Sequence, residues 1–217
     1  YAVTHLTHNL IICDTITGQN TVLGNIGVVL GEPVALCWDP TTDIMFMLTA
    51  SPNNLYTVNI NTGTASFVAS VNLFPQFSLL SGAISNGGSF YAILHTSDST
   101  NPYLIKINKT TGEGQVRGVM FGGASQGPQG ISFDRRPGGF LWWTRYRANG
   151  ESDLMFIDTV SAQITQAAAL PDSTQIDGLI FTDNIVGINN TLHILPKEYS
   201  LFQNYPNPFN PVTVIKY

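Results

Sequence analysis

The stretch Leu55-Tyr-Thr-Val-Asn59-Ile-Asn-Thr-Gly63 joins a short apolar strand to a polar turn, and the chain of 217 residues contains four versions of it. The other versions begin at Leu10, Leu104 and Leu154, so the leading leucines are spaced by 45, 49 and 50 residues. The Asn or Asp side chain in each version suits hydrogen bonds to nearby backbone N–H groups, and the glycine suits the positive φ of a tight hairpin. The sequence therefore predicts a strand and turn that recur along the chain.

A second pattern has the same period. In each unit a small residue opens an apolar strand, and these residues are spaced by 47, 48 and 48 positions: Ala35, Gly82, Gly130 and Gly178. A small residue suits a crowded place where several backbones converge, such as an inner strand beside a central axis. A third strand begins near Ile44, Ser89 and Gly139, and a fourth follows each turn, near Ser66, Gln115 and Gln163.

Four short strands in each unit of about 40–50 residues are typical of a β-propeller blade. We therefore predict an all-β propeller over residues 1–198, with about four blades' worth of four-stranded antiparallel sheets. Complete blades are expected at about 33–75, 80–122 and 128–170. The first unit lacks only its inner strand. Residues 177–182 supply a further inner strand, followed by two more strands at 184–189 and 192–195.

Two closures fit this organisation. Residues 177–182 complete the first unit in a four-bladed ring, or the chain is an arc of a larger propeller. We expect the arc, because the units at both ends are incomplete. An open arc exposes blade faces and unpaired strand edges.

Residues 199–217 differ from the repeats. Pro206, Pro208 and Pro211 fix φ and push each preceding residue out of the α region, which predicts an extended connector that leads into a strand. The motif Asn204-Tyr-Pro-Asn-Pro-Phe-Asn210 resembles the start of the C-terminal sorting domain of cargo of the bacterial type IX (Por) secretion system. The resemblance covers only these nineteen residues.

This resemblance implies export to the outer surface of a Gram-negative bacterium, or to its medium, with the type IX machinery as a partner. The family's sorting domain is several times longer than the stretch after Asn210, so we expect this one to be cut short. No signal segment precedes the first strand. We therefore expect an internal fragment or a trimmed mature form.

Composition excludes some classes of partner. Charged residues make up only 11% of the chain and the net charge is −5, which argues against nucleic acid, since its phosphates need basic surfaces. No apolar run approaches the roughly 20 residues that a membrane-spanning helix needs.

Catalytic and metal-binding motifs are not found: the sequence has no phosphate-binding loop, no nucleophile elbow and no zinc-binding histidine pair. His5 and His8 have no carboxylate or thiol close in sequence, and His193 is solitary, so we interpret them as surface residues. Cys13 and Cys37 lie in apolar strands, which favours free buried thiols over a disulfide. We predict no catalytic, cofactor-binding or metal-binding residue.

Carboxylates recur in the repeats, at Asp14, Asp39, Asp134 and Asp158. A ring of general acids or cation ligands would use such a set. A residue type that every unit requires, however, usually serves the turn of that unit, whereas a catalytic pair breaks the symmetry. We therefore interpret these residues as turn caps.

The least symmetric stretch runs from Asp134 to Arg147 and contains four of the nine basic residues and two of the three tryptophans. Trp142 and Arg145 would suit a sugar or a peptide, through aromatic area and bidentate hydrogen bonds. The alternative is that Trp142 and Trp143 point to opposite faces of one strand, in the core and between blades, while the arginines lie in a loop.

Two classes of function follow. The first is a secreted or cell-surface binding or scaffold module with an unknown ligand, either a glycan or a protein. The second is a secreted hydrolase or lyase that acts on polysaccharide or peptide. Propellers support both, so the fold alone does not decide between them. The lack of a recognisable nucleophile favours the binding module.

Overall fold

The computed structural model describes residues 1–4, 6–27, 31–73, 76–96, 100–123, 129–134, 136, 138–147, 150–170, 176 and 178–181. These residues form fifteen β-strands and contain no helix, so the predicted all-β fold is confirmed. No helix in this part of the chain is long and apolar enough to span a membrane.

The strands form four antiparallel sheets, each with its strands in sequence order. Sheet 1 contains β1 (Ala2–Val3), β2 (Asn9–Cys13) and β3 (Asn20–Asn25). Sheet 2 contains β4 (Glu32–Asp39), β5 (Ile44–Ala50), β6 (Asn54–Val58) and β7 (Ala65–Ser70). Sheet 3 contains β8 (Phe77–Ile84), β9 (Phe90–Thr96), β10 (Tyr103–Ile107) and β11 (Gly114–Val119). Sheet 4 contains β12 (Ile131–Phe133), β13 (Leu141–Tyr146), β14 (Ser152–Ile157) and β15 (Ile164–Leu170).

The four sheets are four blades of a β-propeller. Sheets 2, 3 and 4 are the three complete blades that the repeats predict, and sheet 1 is the unit without an inner strand. The leading leucines lie at equivalent positions in β2, β6, β10 and β14. Each pairs with a small residue on the outermost strand, and a β-bulge follows each pair: Leu10 with Gly24, Leu55 with Ala69, Leu104 with Gly118 and Leu154 with Ala168.

Three hydrophobic clusters join the sheets in sequence. The first joins sheets 1 and 2, the second joins sheets 2 and 3, and the third joins sheets 3 and 4. Each cluster contains one of the leading leucines: Leu10 is buried in the first, Leu55 in the second and Leu104 in the third.

We call the face of a sheet that points towards the following sheet its forward face, and the opposite one its backward face. Among the described residues no cluster joins sheet 4 to sheet 1, and both closures stay predictions.

Two of the predicted small inner residues, Gly82 and Gly130, lie at tightly packed places, whereas a Cβ atom on Gly178 would meet no described heavy atom within 4 Å. A Cβ atom on Gly82 would lie 2.8 Å from Cδ1 of Leu48 and 3.2 Å from Cβ of Ala35, both in sheet 2. A Cβ atom on Gly130 would lie 2.4 Å from the backbone nitrogen of Leu179. A side chain would therefore collide with the side chains of sheet 2 at Gly82, and with backbone atoms at Gly130.

Of the predicted inner strand at 177–182, the described residues 178–181 lie beside Gly130 but are not in a strand, while 177 and 182 lie outside the described residues. An inner strand is held by hydrogen bonds to the second strand of its own sheet. The residues predicted to supply that strand, 184–189, lie outside the described residues. So do the predicted strand at 192–195 and the segment 199–217.

The two cysteines differ in their exposure to solvent. Both are free, as predicted, and Cys37 is buried. The prediction is wrong for Cys13, which is exposed. Strand alternation places Cys13 on the backward face of sheet 1, opposite Leu10, and no described sheet covers that face.

Candidate functional site

The turn between the last two strands of each sheet is closed by its Asn or Asp side chain. Oδ1 of Asp14 accepts hydrogen bonds from the backbone N–H groups of residues 16 and 17, at 2.8 and 2.9 Å. Asn59, Asn108 and Asp158 make the same pair of bonds at distances of 2.7–3.3 Å. Backbone donors lower the pKa of Asp14, mainly from Thr17, and that of Asp158, mainly from Val160. These two carboxylates are turn caps, as predicted.

Asp39 and Asp134 occupy a different position, between the first and second strand of a sheet, so the four carboxylates do not form one recurring set. Asp39 is buried and ends β4. It accepts hydrogen bonds from the backbone and hydroxyl of Thr41 at 2.9 and 2.7 Å, from the hydroxyl of Thr42 at 2.8 Å, and from Nζ of Lys109. Burial opposes ionisation, but the bonds from Lys109 and the threonines outweigh it and lower the pKa of Asp39 to about 2.

Asp134 organises the loop between β12 and β13. Its carboxylate accepts hydrogen bonds from Nε of Arg136 at 3.0 Å, from Nε1 of Trp142 at 3.0 Å and from the backbone N–H of Phe140 at 3.2 Å. The terminal nitrogen of Arg136 donates to it as well. Burial opposes ionisation here too, but these donors, with Arg136 first, lower the pKa of Asp134 to about 2. The carboxylate therefore holds its own loop in shape.

The loop organised by Asp134 presents an aromatic ring and a cation to solvent. The Arg136 guanidinium lies 5.0 Å from the ring centroid of Phe140, and the Phe140 side chain is 45% exposed. Phe156 contacts that ring nearly at right angles, with centroids 4.7 Å apart. We call Arg136, Phe140 and the two adjoining grooves the Phe140 surface.

One groove of the Phe140 surface lies between sheets 3 and 4, with a volume of about 240 Å³, and its polar lining includes Asn86 and Thr159. The other has a volume of about 310 Å³ and is lined by Phe140, Phe156 and Asp158 among others. Gly138, Gly139 and Thr159 line both grooves. The surface thus combines an aromatic face, a guanidinium and several hydrogen-bonding groups around two concave sites.

The structure corrects the hypothesis that Trp142 and Arg145 act together. The two tryptophans point to opposite faces of β13, as the alternative reading predicts. Trp143 is fully buried between sheets 3 and 4, whereas Trp142 is half-buried on the forward face and contacts Phe181. Arg145 shares the backward face with Trp143 and is itself buried, so it cannot meet a ligand beside Trp142.

Arg145 belongs to a buried ionic cluster at the end of the strands opposite the Phe140 surface. Its Nε and a terminal nitrogen donate to Asp153 at 3.1 and 2.5 Å, and Arg147 donates to the same oxygen at 2.8 Å. Nε2 of Gln166 donates to the other Asp153 oxygen at 2.8 Å. The alternative that all the arginines lie in a loop is therefore wrong for Arg145, which joins two strands of sheet 4.

The inner strands enclose a small cavity of about 120 Å³, lined by residues of β4, β8 and β12 and by residues 179 and 180. The Cys37 thiol lies at its edge and donates to the backbone oxygen of Gly82 at 3.2 Å. Burial raises the pKa of Cys37 to about 12, so the thiol stays protonated and is a poor nucleophile at neutral pH.

The described part of the chain contains no group of three or more histidine, cysteine, aspartate or glutamate side chains that could hold a metal ion. His8 is half-buried in a turn after β1, while His5 and His193 lie outside the described residues. Burial lowers the pKa of His95.

Sequence reasoning missed Phe140 and Lys109. A signal for Phe140 is present, because residues 134–140 separate β12 from β13, whereas only 40–43 and 85–89 separate the corresponding strands in sheets 2 and 3. The longest of these three loops is the one that presents an aromatic ring. Nothing local marks Lys109, because its partner Asp39 lies in another sheet.

No protein-family model matches the chain, and no curated protein sequence matches it. Similar solved structures exist. A chain of the Nidogen/Laminin complex is 13% identical, with a TM-score of 0.55, over 80% of this chain and 63% of that one. A structural genomics protein of unknown function from Bacteroides thetaiotaomicron VPI-5482 is 18% identical, with a TM-score of 0.54, over 79% of this chain and 43% of that one.

The present chain thus spans less than two thirds of either structure. At these identities the likeness concerns the fold alone. The chain is a four-bladed stretch of β-propeller, similar in fold to both of these proteins.

Proposed function

We propose that the chain is a secreted or cell-surface binding module that holds a saccharide on the Phe140 surface and is exported by type IX secretion through residues 199–217. The observation that carries the binding proposal is the exposed Phe140 ring beneath the Arg136 guanidinium, between two grooves. Sheets 2 and 3 have shorter loops at the equivalent place.

The chemistry of this surface favours a saccharide. An aromatic ring offers a flat apolar face to the C–H groups of a sugar, and a planar guanidinium donates to neighbouring hydroxyl or carboxylate oxygens. The Phe140 ring is held by Phe156, and Arg136 is held by Asp134, so both groups lose little conformational freedom when a ligand binds.

The carboxylates beside the grooves support binding over hydrolysis. A glycosidase needs a general acid whose pKa is raised towards neutrality. Here the pKa of Asp134 falls to about 2 and that of Asp158 is lowered as well. Both groups are ionised at neutral pH and are already engaged as acceptors, so neither is suited to donate a proton to a leaving group.

The test is a glycan array with the full 217-residue chain, followed by calorimetry on the best saccharide. Phe140→Ala should weaken binding at least roughly tenfold, as expected when a central aromatic contact is removed. Phe121→Ala is the matched control, because Phe121 is also exposed but follows β11 at the other end of the strands. Equal binding by both variants would contradict the proposed site. Release of reducing ends from any bound polysaccharide would favour the hydrolase instead.

The export proposal is tested separately, in a bacterium with type IX secretion. The chain should reach the cell surface or medium, and it should stay inside when residues 199–217 are deleted or when the secretion machinery is inactivated. Export that is insensitive to both changes would remove this proposal and leave the binding proposal untouched.

A further inference from the structure

The same packing contact recurs at all three junctions between sheets. The turn of each sheet ends in a residue with positive φ, and this residue packs against the small residue that faces the leading leucine in the preceding sheet. A Cβ atom on Gly63 would lie 2.6 Å from the carbonyl carbon of Gly24, and one on Gly112 would lie 2.8 Å from Cβ of Ala69. Cβ of Ala162 lies 3.0 Å from the position of a Cβ atom on Gly118.

This contact has two partners, a turn residue with positive φ and a small residue of the preceding sheet. Among the described residues, each of them also occurs once without the other. The turn residue of sheet 1 is Gly18, which has positive φ like the others, and no described heavy atom lies within 4 Å of its Cβ position. The small residue of sheet 4 is Ala168, and it is exposed. Within the described part of the chain, the forward face of sheet 4 therefore has an empty notch at Ala168, and the Gly18 turn on the backward side of sheet 1 packs against no other sheet.

The apolar residues around these two places show the same difference. Leu10, Leu55 and Leu104 are each 0% exposed on the forward faces of sheets 1, 2 and 3, but Leu154 on sheet 4 is only half-buried. On the backward faces, Cys13 of sheet 1 corresponds to Val58, Ile107 and Ile157, which are almost completely buried. At these positions the two outer faces are thus the same kind of surface as the internal junctions, and no described residue covers them.

We propose that these two faces bind each other between copies of the chain: the forward face of sheet 4 in one copy packs on the backward face of sheet 1 in a second copy. Gly18 of one copy then enters the notch at Ala168 of the other. This contact would continue the series of three internal junctions, which use the same positions in the same direction. Among the described residues of one copy the two faces do not meet, since neither Gly18 nor Ala168 contacts a described counterpart.

This interface joins two different faces, so it is heterologous and leads to a ring or to an open chain. The face on sheet 4 is free mainly at its outer strands. Phe181 already covers the side near Trp142, with ring centroids 6.1 Å apart. Leu154 and Ala168, on β14 and β15, form the part that remains for a second copy.

Cys13 provides a probe of the proposed interface, because it lies on the buried side of the contact while the Cys37 thiol is already buried. The experiment follows the rate of Cys13 labelling by a thiol reagent, together with the mass from light scattering, as the concentration of the full chain is raised. We expect the mass to rise above that of a monomer, and labelling to slow at least roughly tenfold as the thiol becomes inaccessible.

Ala168→Arg should keep the chain monomeric and Cys13 reactive at every concentration, because the new side chain fills the notch. Ala169→Arg is the matched control, an exposed neighbour on β15 that faces the other way, and it should associate like the parent chain. Circular dichroism establishes that both variants are folded. A monomer with reactive Cys13 at all concentrations overturns the proposal, and so does a monomer with protected Cys13, since sheet 1 would then cover sheet 4 within one copy.

Discussion

Two loops at the same place in the repeat use a buried aspartate in different ways. Asp39 ends the inner strand of sheet 2, and its carboxylate reaches Lys109, which belongs to sheet 3. Asp134 follows the inner strand of sheet 4, and its carboxylate binds Arg136, Phe140 and Trp142 of the same sheet and loop. The pKa of both groups falls to about 2.

The comparison shows that the position of a charge in a repeat does not determine its role. The Asp39 pair joins two sheets and is shielded, since the Lys109 side chain is 24% exposed. The Asp134 pair is open, since the Arg136 side chain is 62% exposed. The first pair should therefore contribute mainly to stability, and the second mainly to the shape of the Phe140 surface.

Acid should have the largest effect, because it acts on both loops. A folded pKa of about 2 lies below the unfolded value of about 3.9, so each carboxylate contributes stability that is present above pH 4 and is lost as the pH falls through 2. The free energy of unfolding should fall by about 3–5 kcal/mol over this window, after allowance for solvent screening. Urea titrations from pH 7 to pH 2 measure it, and the double variant Asp39→Asn/Asp134→Asn should show a shallower dependence. An unchanged slope in that variant would contradict the assignment.

Asp39→Ala should lower the free energy of unfolding by about 2–3 kcal/mol, because it leaves Lys109 and two threonines without their shared acceptor. Urea unfolding at pH 7 measures the change. Asp43→Asn is the control, since Asp43 is exposed in the same turn and asparagine tolerates its positive φ. If the two variants are equally stable, Asp39 does not join the sheets as described.

Asp134→Ala should cost less, about 1–2 kcal/mol, because the freed Arg136 turns to water while Trp142 and the backbone of Phe140 lose an acceptor. Saccharide binding should fall together with stability, and tryptophan emission should shift as Trp142 loses its hydrogen bond. Asp134→Asn keeps an acceptor oxygen and should give an intermediate result. A stable variant with unchanged binding would show that the loop keeps its shape without this carboxylate.

Lys109→Met should destabilise the fold by about 1 kcal/mol, since Asp39 keeps its threonine donors but loses the cation. The pKa of Asp39, measured by NMR, should rise from about 2 towards its ordinary value. Lys106→Met, on strand β10 of the same sheet, serves as the control. A pKa of Asp39 that does not move would break the proposed link between sheets 2 and 3.

Arg136→Gln should have the smallest effect on stability, with no measurable change in the unfolding midpoint, because an exposed ion pair contributes little. Its effect should instead appear in saccharide binding, where the guanidinium over Phe140 is lost. A destabilisation as large as that of Lys109→Met would erase the distinction between the two loops.

The repeated features of this molecule were accessible from sequence. The leading leucines and the small inner residues located the third and inner strands of the blades, because each blade must satisfy the same packing and turn geometry. Gly82 and Gly130 behave as predicted, since a side chain on Gly82 would collide with sheet 2 and one on Gly130 with the backbone of residues 178 and 179. Local hydrogen bonding also explains why Asp14 and Asp158 could be recognised as turn caps.

The contacts between sheets were not accessible in the same way. Asp39 and Lys109 are seventy residues apart, and only the packing of sheet 2 against sheet 3 brings them together. The face of β13 on which each side chain lies determines whether Trp142, Trp143 and Arg145 are buried. A one-residue change in register would place each of them on the opposite face. The exposure of Cys13 depended on whether another sheet covers sheet 1, which periodicity does not specify.

The arrangement of the three clusters also has a consequence for how the molecule opens. Sheets 2 and 3 each contribute to two clusters, whereas sheets 1 and 4 each contribute to one. In a linear array of repeats, stability is the sum of each unit and its nearest neighbours, so loss of structure starts at the ends and moves inward. The Phe140 loop lies on sheet 4, so a ligand held there would stabilise a sheet that shares a hydrophobic cluster with only one described neighbour.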